Sequence, residues 1–173
     1  MKWFRFALIV VLAAVIQASA FLNTISLTDL HIKPDILLIL LVYFAISCDR
    51  YDVIICSFSL GLAADVTGAL IGPHFISFGI IGTALAHIKK VILVKKTSQQ
   101  AITIFATGIL TYLIAAILTK LKVSTADTGG LFEVFASSIY SAIFWFLIKW
   151  PVTTTGKWLG IGVHRFGIST EER

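Results

Sequence analysis

The sequence predicts an all-α integral membrane protein, a polytopic bundle of about six transmembrane helices joined by short loops. Three observations lead there. Of 173 residues, 58% are hydrophobic and only 13% are charged, where an ordinary soluble domain carries about 25% charged residues. Mean hydropathy is +0.95. The apolar residues fall into successive runs close to the length a bilayer asks of a helix, about 20 residues. So few charges cannot cover a soluble surface of this size, which excludes a soluble enzyme, an extracellular module and a disordered regulator. Six spans also use up most of the chain, so residues 1–173 form a single transmembrane domain with no folded domain outside the bilayer.

The spans are expected at about 3–22, 34–48, 53–71, 73–88, 101–118 and 131–148, with 151–173 a short cytoplasmic tail. The first run is interrupted only by Arg5 and Gln17, and Ala14 with Ala18 gives it a small-residue face. Its start also reads as a signal peptide, with Lys2 and Arg5 ahead of an apolar core and Ala18-Ser19-Ala20 as a cleavage site. Retention is favoured, because the apolar stretch is long for a signal core and another span follows a brief loop. The second run opens with Lys33-Pro34-Asp35, where a proline and an acid suit the unpaired amides and the dipole of a helix start. The third run contains Asp65. Gly72-Pro73 then turns the chain tightly into the fourth, since proline ends one helix and can open the next. A lysine-rich segment precedes the fifth run, and the sixth is followed by a tail rich in glycine and basic residues.

Orientation follows from the Lys and Arg residues. With the N-terminus in the cytoplasm and six alternating spans, the cytoplasmic side holds Lys2, Arg5, Arg50, Lys89, Lys90, Lys95, Lys96, Lys149, Lys157, Arg165 and Arg173. Only Lys33, Lys120 and Lys122 fall outside, so 11 of the 14 basic residues lie within. This is the distribution of a membrane protein with both termini cytoplasmic. The net charge of +5 is therefore an orientation signal, and nucleic acid is not an expected partner. Lys89, Lys90, Lys95 and Lys96 are expected to meet anionic lipid, at about 1 kcal/mol per charge near the surface.

Asp65 is the residue that most needs an explanation, because a carboxylate inside a span marks a functional site by default. Gly61, Ala64, Asp65 and Gly68 lie at i, i+3, i+4 and i+7, one helical face. Gly79 and Gly82 form a second small-residue row on the next span. Three readings of Asp65 stay open: a clamp onto a neighbouring helix, a cap on the Gly72-Pro73 turn, or a proton or cation site. Catalysis finds no support. Converging Ser-His-Asp, Cys-His and Asp-Asp sets are missing, as is a Walker-type loop. Cys48 and Cys56 are read as reduced thiols, and His31 and His74 are weak grounds for a metal. No cofactor or metal is expected.

Pro34-Asp35-Ile36-Leu37-Leu38, Leu41-Val42-Tyr43-Phe44-Ala45, Gly61-Leu62-Ala63-Ala64-Asp65 and Gly72 with His74 resemble the rod shape-determining MreD family. That resemblance implies a non-enzymatic inner-membrane subunit of the bacterial cell-elongation machinery, organising lateral wall synthesis. Its implied partners are the bitopic protein MreC, then the actin-like MreB, the glycosyltransferase RodA and a class B penicillin-binding protein. Pro34, Asp35, Gly61, Ala64, Asp65, Gly68, Gly72, His74, Gly79 and Gly82 are the candidate family-motif and partner-contact residues. A more distant similarity, to the substrate-binding subunits of energy-coupling-factor vitamin transporters, supplies the alternative.

Overall fold

The computed structural model describes residues 2–19, 34–68, 72–88, 97–122 and 131–160, the last of these by backbone alone over 131–133. Lys33, Lys89, Lys90, Lys95, Lys96, the proposed cleavage site at Ala20 and the end of the tail lie outside the described residues. Every described element is an α-helix: α1 (Trp3–Ala18), α2 (Ile36–Ser47), α3 (Arg50–Thr67), α4 (Pro73–Ile88), α5 (Thr97–Lys122) and α6 (Leu131–Trp158). Two of them, α5 and the stretch Val134–Trp158 of α6, are long and apolar enough to cross a membrane. α1, α2 and α4 are shorter apolar helices.

The centre of the bundle is α2, which touches α1, α3, α4, α5 and α6. That position explains its sequence. Ile36 through Ala45 are all buried, so no face of the helix is polar. A helix apolar all round is one enclosed on every side. At 12 residues it is about 18 Å long. It begins at Ile36 and not at Pro34. Asp35 is the N-cap, its side chain accepting from the Leu38 amide, and Pro34 stands just before it.

The outside is apolar and polar groups are drawn inward. Val11, Val15, Val66, Ile102, Ile143 and Leu147 are each more than half exposed, while Asp35, Ser57, Asp65, Ser77, Thr107, Thr111, Ser138 and Ser141 are buried. Lipid needs no polar coat, and a hydroxyl can bond another helix only inside the bundle. Ser57 and Ser138 return to the carbonyls of Val53 and Val134, one turn back. Cys48 and Cys56 are both buried and form no disulfide.

Several helix boundaries differ from the sequence reading, beginning with α1, which ends at Ala18 and not at 22. α3 starts at Arg50 and ends at Thr67, so Asp65 lies in its last turn and not well short of the span's end. α5 is 26 residues long, extending past the expected limits at both ends. α6 continues through Pro151 to Trp158, making the first part of the 151–173 segment helical. Proline removes one amide there. The hydroxyls of Thr153 and Thr154 bond to the Trp150 carbonyl and that of Thr155 to the Pro151 carbonyl. The carbonyl that loses its amide to Pro151 is that of Leu147, one turn back, so these hydroxyls bond other carbonyls than the one proline frees.

The two ends of the bundle are distinct. At one, Arg5 donates to the Trp158 carbonyl at 2.7 Å and lies over the Trp158 ring, and the Lys2 amide donates to the Leu159 carbonyl. Arg50 meets His87, and Lys149 meets Thr97, at this same basic end. The other end holds the turn from α3 into α4.

Candidate functional site at the hairpin end

α3 and α4 form the most extensive helix pair among the described elements, and glycine makes it possible. A Cβ on Gly61 would sit 2.7 Å from the His74 carbonyl oxygen and 2.8 Å from the Phe75 Cα, both backbone atoms that cannot swing aside. Gly79 lies against the Phe58 ring, and Gly82 against Ser57 and Leu41. The two small-residue rows therefore face into the protein. Gly61, Gly79 and Gly82 are buried and do not present a surface to another chain. Ala64 is half-buried against the core, and Gly68, at the end of α3, is exposed.

Asp65 locks this hairpin. Its side chain is buried, 1% exposed. Oδ2 accepts from the amides of Gly72 at 2.7 Å and Phe75 at 2.9 Å. Oδ1 accepts from the His74 amide at 2.9 Å and faces His74 Nδ1 at 3.2 Å. The amides are the otherwise unpaired donors at the start of α4, where the helix dipole also favours negative charge. Gly72 has φ +122°, a conformation that side chains rarely adopt, and the turn needs it to aim its amide at the carboxylate. A carboxylate offers about four acceptor positions, and here each oxygen has two donors. The geometry is that of a cap which also ties α3 to α4, and it leaves no acceptor position over for an ion.

A second buried acid sits beside it. Asp35, at the start of α2, is 7% exposed. Its Oδ1 caps the Leu38 amide at 3.0 Å and its Oδ2 accepts from the Tyr112 hydroxyl at 3.1 Å. The Asp35 amide donates to Ser141 Oγ at 2.9 Å, and the next amide, of Ile36, to Gln17 Oε1 at 3.0 Å. Ser137 approaches the Tyr112 hydroxyl at 3.4 Å. Side chains from α1, α5 and α6 thus converge on the first turn of α2, and His74 of α4 is close enough to act electrostatically on Asp35. Among the predicted residues, Pro34, Asp35, Gly61, Asp65, Gly72 and His74 come together at this end, while Gly79 and Gly82 continue down the hairpin.

Gln17, Tyr112, Ser137 and Ser141 belong to this cluster but stand outside the sequence-based set. Two signals pointed to them: Gln17 interrupts the first apolar run, and Ser137 with Ser141 repeats at i, i+4, one face of α6. Among the described residues no three His, Cys, Asp or Glu side chains gather as a metal site requires.

Residues 1–154 match the family described as rod shape-determining protein MreD. The chain belongs to the MreD family. The match takes in both buried acids, the hairpin and nearly all of the described bundle. No curated protein and no solved structure matches the chain. Family membership makes this a rod shape-determining protein, and the two spanning-length helices in an apolar coat make it membrane-associated.

Proposed function

We propose that the chain is a six-span, non-enzymatic subunit of the cell-elongation machinery, organising lateral wall synthesis through membrane-embedded contacts. The single observation behind this reading is the family match over residues 1–154. The arrangement of the two ends supports the topology. Lys2, Arg5, Arg50, Lys149 and Lys157 belong to the end where α1 and α6 are clasped together. Lys122 lies beside Gly72 at the hairpin end. That is the asymmetry of a protein with both termini in the cytoplasm. Cysteines introduced at Ser98 and at Lys120 should then label from opposite faces.

The partner surface is apolar and membrane-embedded. Among the described residues it is formed by helix faces such as the Val11 and Val15 side of α1 and the Ile139 and Ile143 side of α6. The hairpin glycines serve it indirectly, by fixing the shape that those faces have. An MreC-like bitopic protein is the first partner expected, with MreB, RodA and a class B penicillin-binding protein in the same assembly. The transporter alternative gains no support, since the polar groups described at the hairpin end are engaged in hydrogen bonds within the protein. Gentle-detergent co-purification tests the proposal: an MreC-like protein should come down with the chain, and a pair of ATPases with a transmembrane coupling subunit would overturn it.

A further inference from the structure

The seam between α2, α5 and α6 contains two buried polar atoms on residues that line a cavity. The cavity is about 10 Å³ and is lined by Tyr43, Ser47, Gln100, Ile104 and Trp145, among others. Trp145 is 2% exposed. Its indole Nε1 and the side-chain oxygen of Gln100 are both buried, and neither has a hydrogen-bond partner among the described residues. One can only donate and the other can only accept. The Tyr43 ring lies 6.4 Å from the Trp145 ring, centroid to centroid.

We propose that this cavity is a binding site for a single water molecule, which joins α2, α5 and α6. The volume is what one water needs, about 10–15 Å³ by the same measure. The chemistry is complementary as well. The water accepts from the Trp145 indole and donates to the Gln100 oxygen. That leaves one O–H and one lone pair for the Ser47 and Tyr43 hydroxyls on the wall, giving the two to four partners that an internal water requires. An unpaired indole donor and amide oxygen would otherwise remain desolvated in an apolar seam. A water satisfies both without moving a helix.

The site complements the hairpin end. There α2 is bound directly to α5 through Asp35 and Tyr112 and to α6 through the Asp35 amide and Ser141. At its other end, near Ser47, α2 has the water as its polar joint to the same two helices. The central helix is therefore pinned to α5 and α6 at both ends, and the water supplies the second pin.

The test is nuclear magnetic resonance on the full chain in lipid nanodiscs with 15N-labelled tryptophan. The Trp145 indole signal is assigned by its loss in Trp145→Phe. A cross-peak between that indole proton and water, with the sign of a long-lived bound molecule, is expected in the parent. It should be lost in Gln100→Leu, which removes the acceptor, while the signals of Trp3, Trp150 and Trp158 stay in place. A parental indole proton with no water cross-peak overturns the proposal. A signal that moves in Gln100→Leu without ever showing the cross-peak does so too, because it reports a direct indole-to-amide bond. The parental spectrum decides by itself, so a variant that fails to fold leaves the test intact.

Discussion

Replacing Asp65 should weaken the fold in steps that follow the number of acceptor positions removed. In Asp65→Asn one oxygen remains and the other becomes an NH2 group, which faces two amide donors instead of accepting from them. Either Gly72 and Phe75 or the two His74 nitrogens lose their acceptor. At about 1–1.5 kcal/mol per bond the cost is about 2–3 kcal/mol. Asp65→Leu strands three backbone amides. The turn is part-buried, so the lower half of the usual 1–3 kcal/mol per unsatisfied donor applies, a total of about 3–6 kcal/mol. A buried ion pair can be exchanged for apolar groups at little cost when both partners go. Here the partners are main-chain amides, and no side-chain substitution removes them. Against a total stability of about 5–15 kcal/mol these are large effects. Reversible unfolding in mixed micelles, followed by circular dichroism, gives the three stabilities. The order parent, Asn, Leu is expected. Both variants within about 0.5 kcal/mol of the parent, the range of an inconsequential substitution, would refute the capping argument.

Three further outcomes follow from the packing. Gly61→Ala places a methyl group against backbone atoms of His74 and Phe75 and should cost about 1–3 kcal/mol in the same unfolding assay, as overpacking does. Tyr112→Phe keeps the ring but removes the donor to Asp35 and should cost about 0.5–1.5 kcal/mol in that assay, the net worth of one hydrogen bond. α1 buries Phe6, Ile9, Val10 and Ala13, accepts from the α2 start through Gln17, and is tied to α6 through Arg5. The intact mass of membrane-extracted protein should therefore include residues 1–20, and a chain beginning at Phe21 would contradict this.

Much of the architecture was legible from hydropathy, because each helix needs its own apolar run and each turn its own breaker. The Gly72-Pro73 turn and the cap at Asp35 could be read from local residue chemistry alone. Boundaries were harder to read. α6 continues through Pro151 to Trp158, whose carbonyl bonds Arg5 of α1, a tertiary contact that sequence hides altogether. The sequence places Asp65 well short of its span's end, and of its three open readings only the cap on the Gly72-Pro73 turn anticipates the main-chain amides it meets. The glycine rows were visible as small-residue stripes. Which way they face is decided by how α3 and α4 turn about their axes, and periodicity leaves that open. Tyr112 and Ser141 meet Asp35 across more than 75 residues of chain, a pairing with no local signature.

The central claim is that this chain acts by holding a shape within the membrane and not by chemistry at its buried acids. Cell shape in a rod-shaped bacterium depleted of its own family member tests that claim most directly. The parent, Asp65→Asn, Gly61→Ala and Tyr112→Phe are each expressed there, and the cell length-to-width ratio is plotted against the amount of folded, membrane-inserted protein. All four should fall on one curve, with each variant restoring shape in proportion to the folded protein it leaves. An Asp65→Asn chain that inserts and unfolds as the parent does, yet leaves the cells round, would contradict the account and return Asp65 to the role of a functional ionisable group.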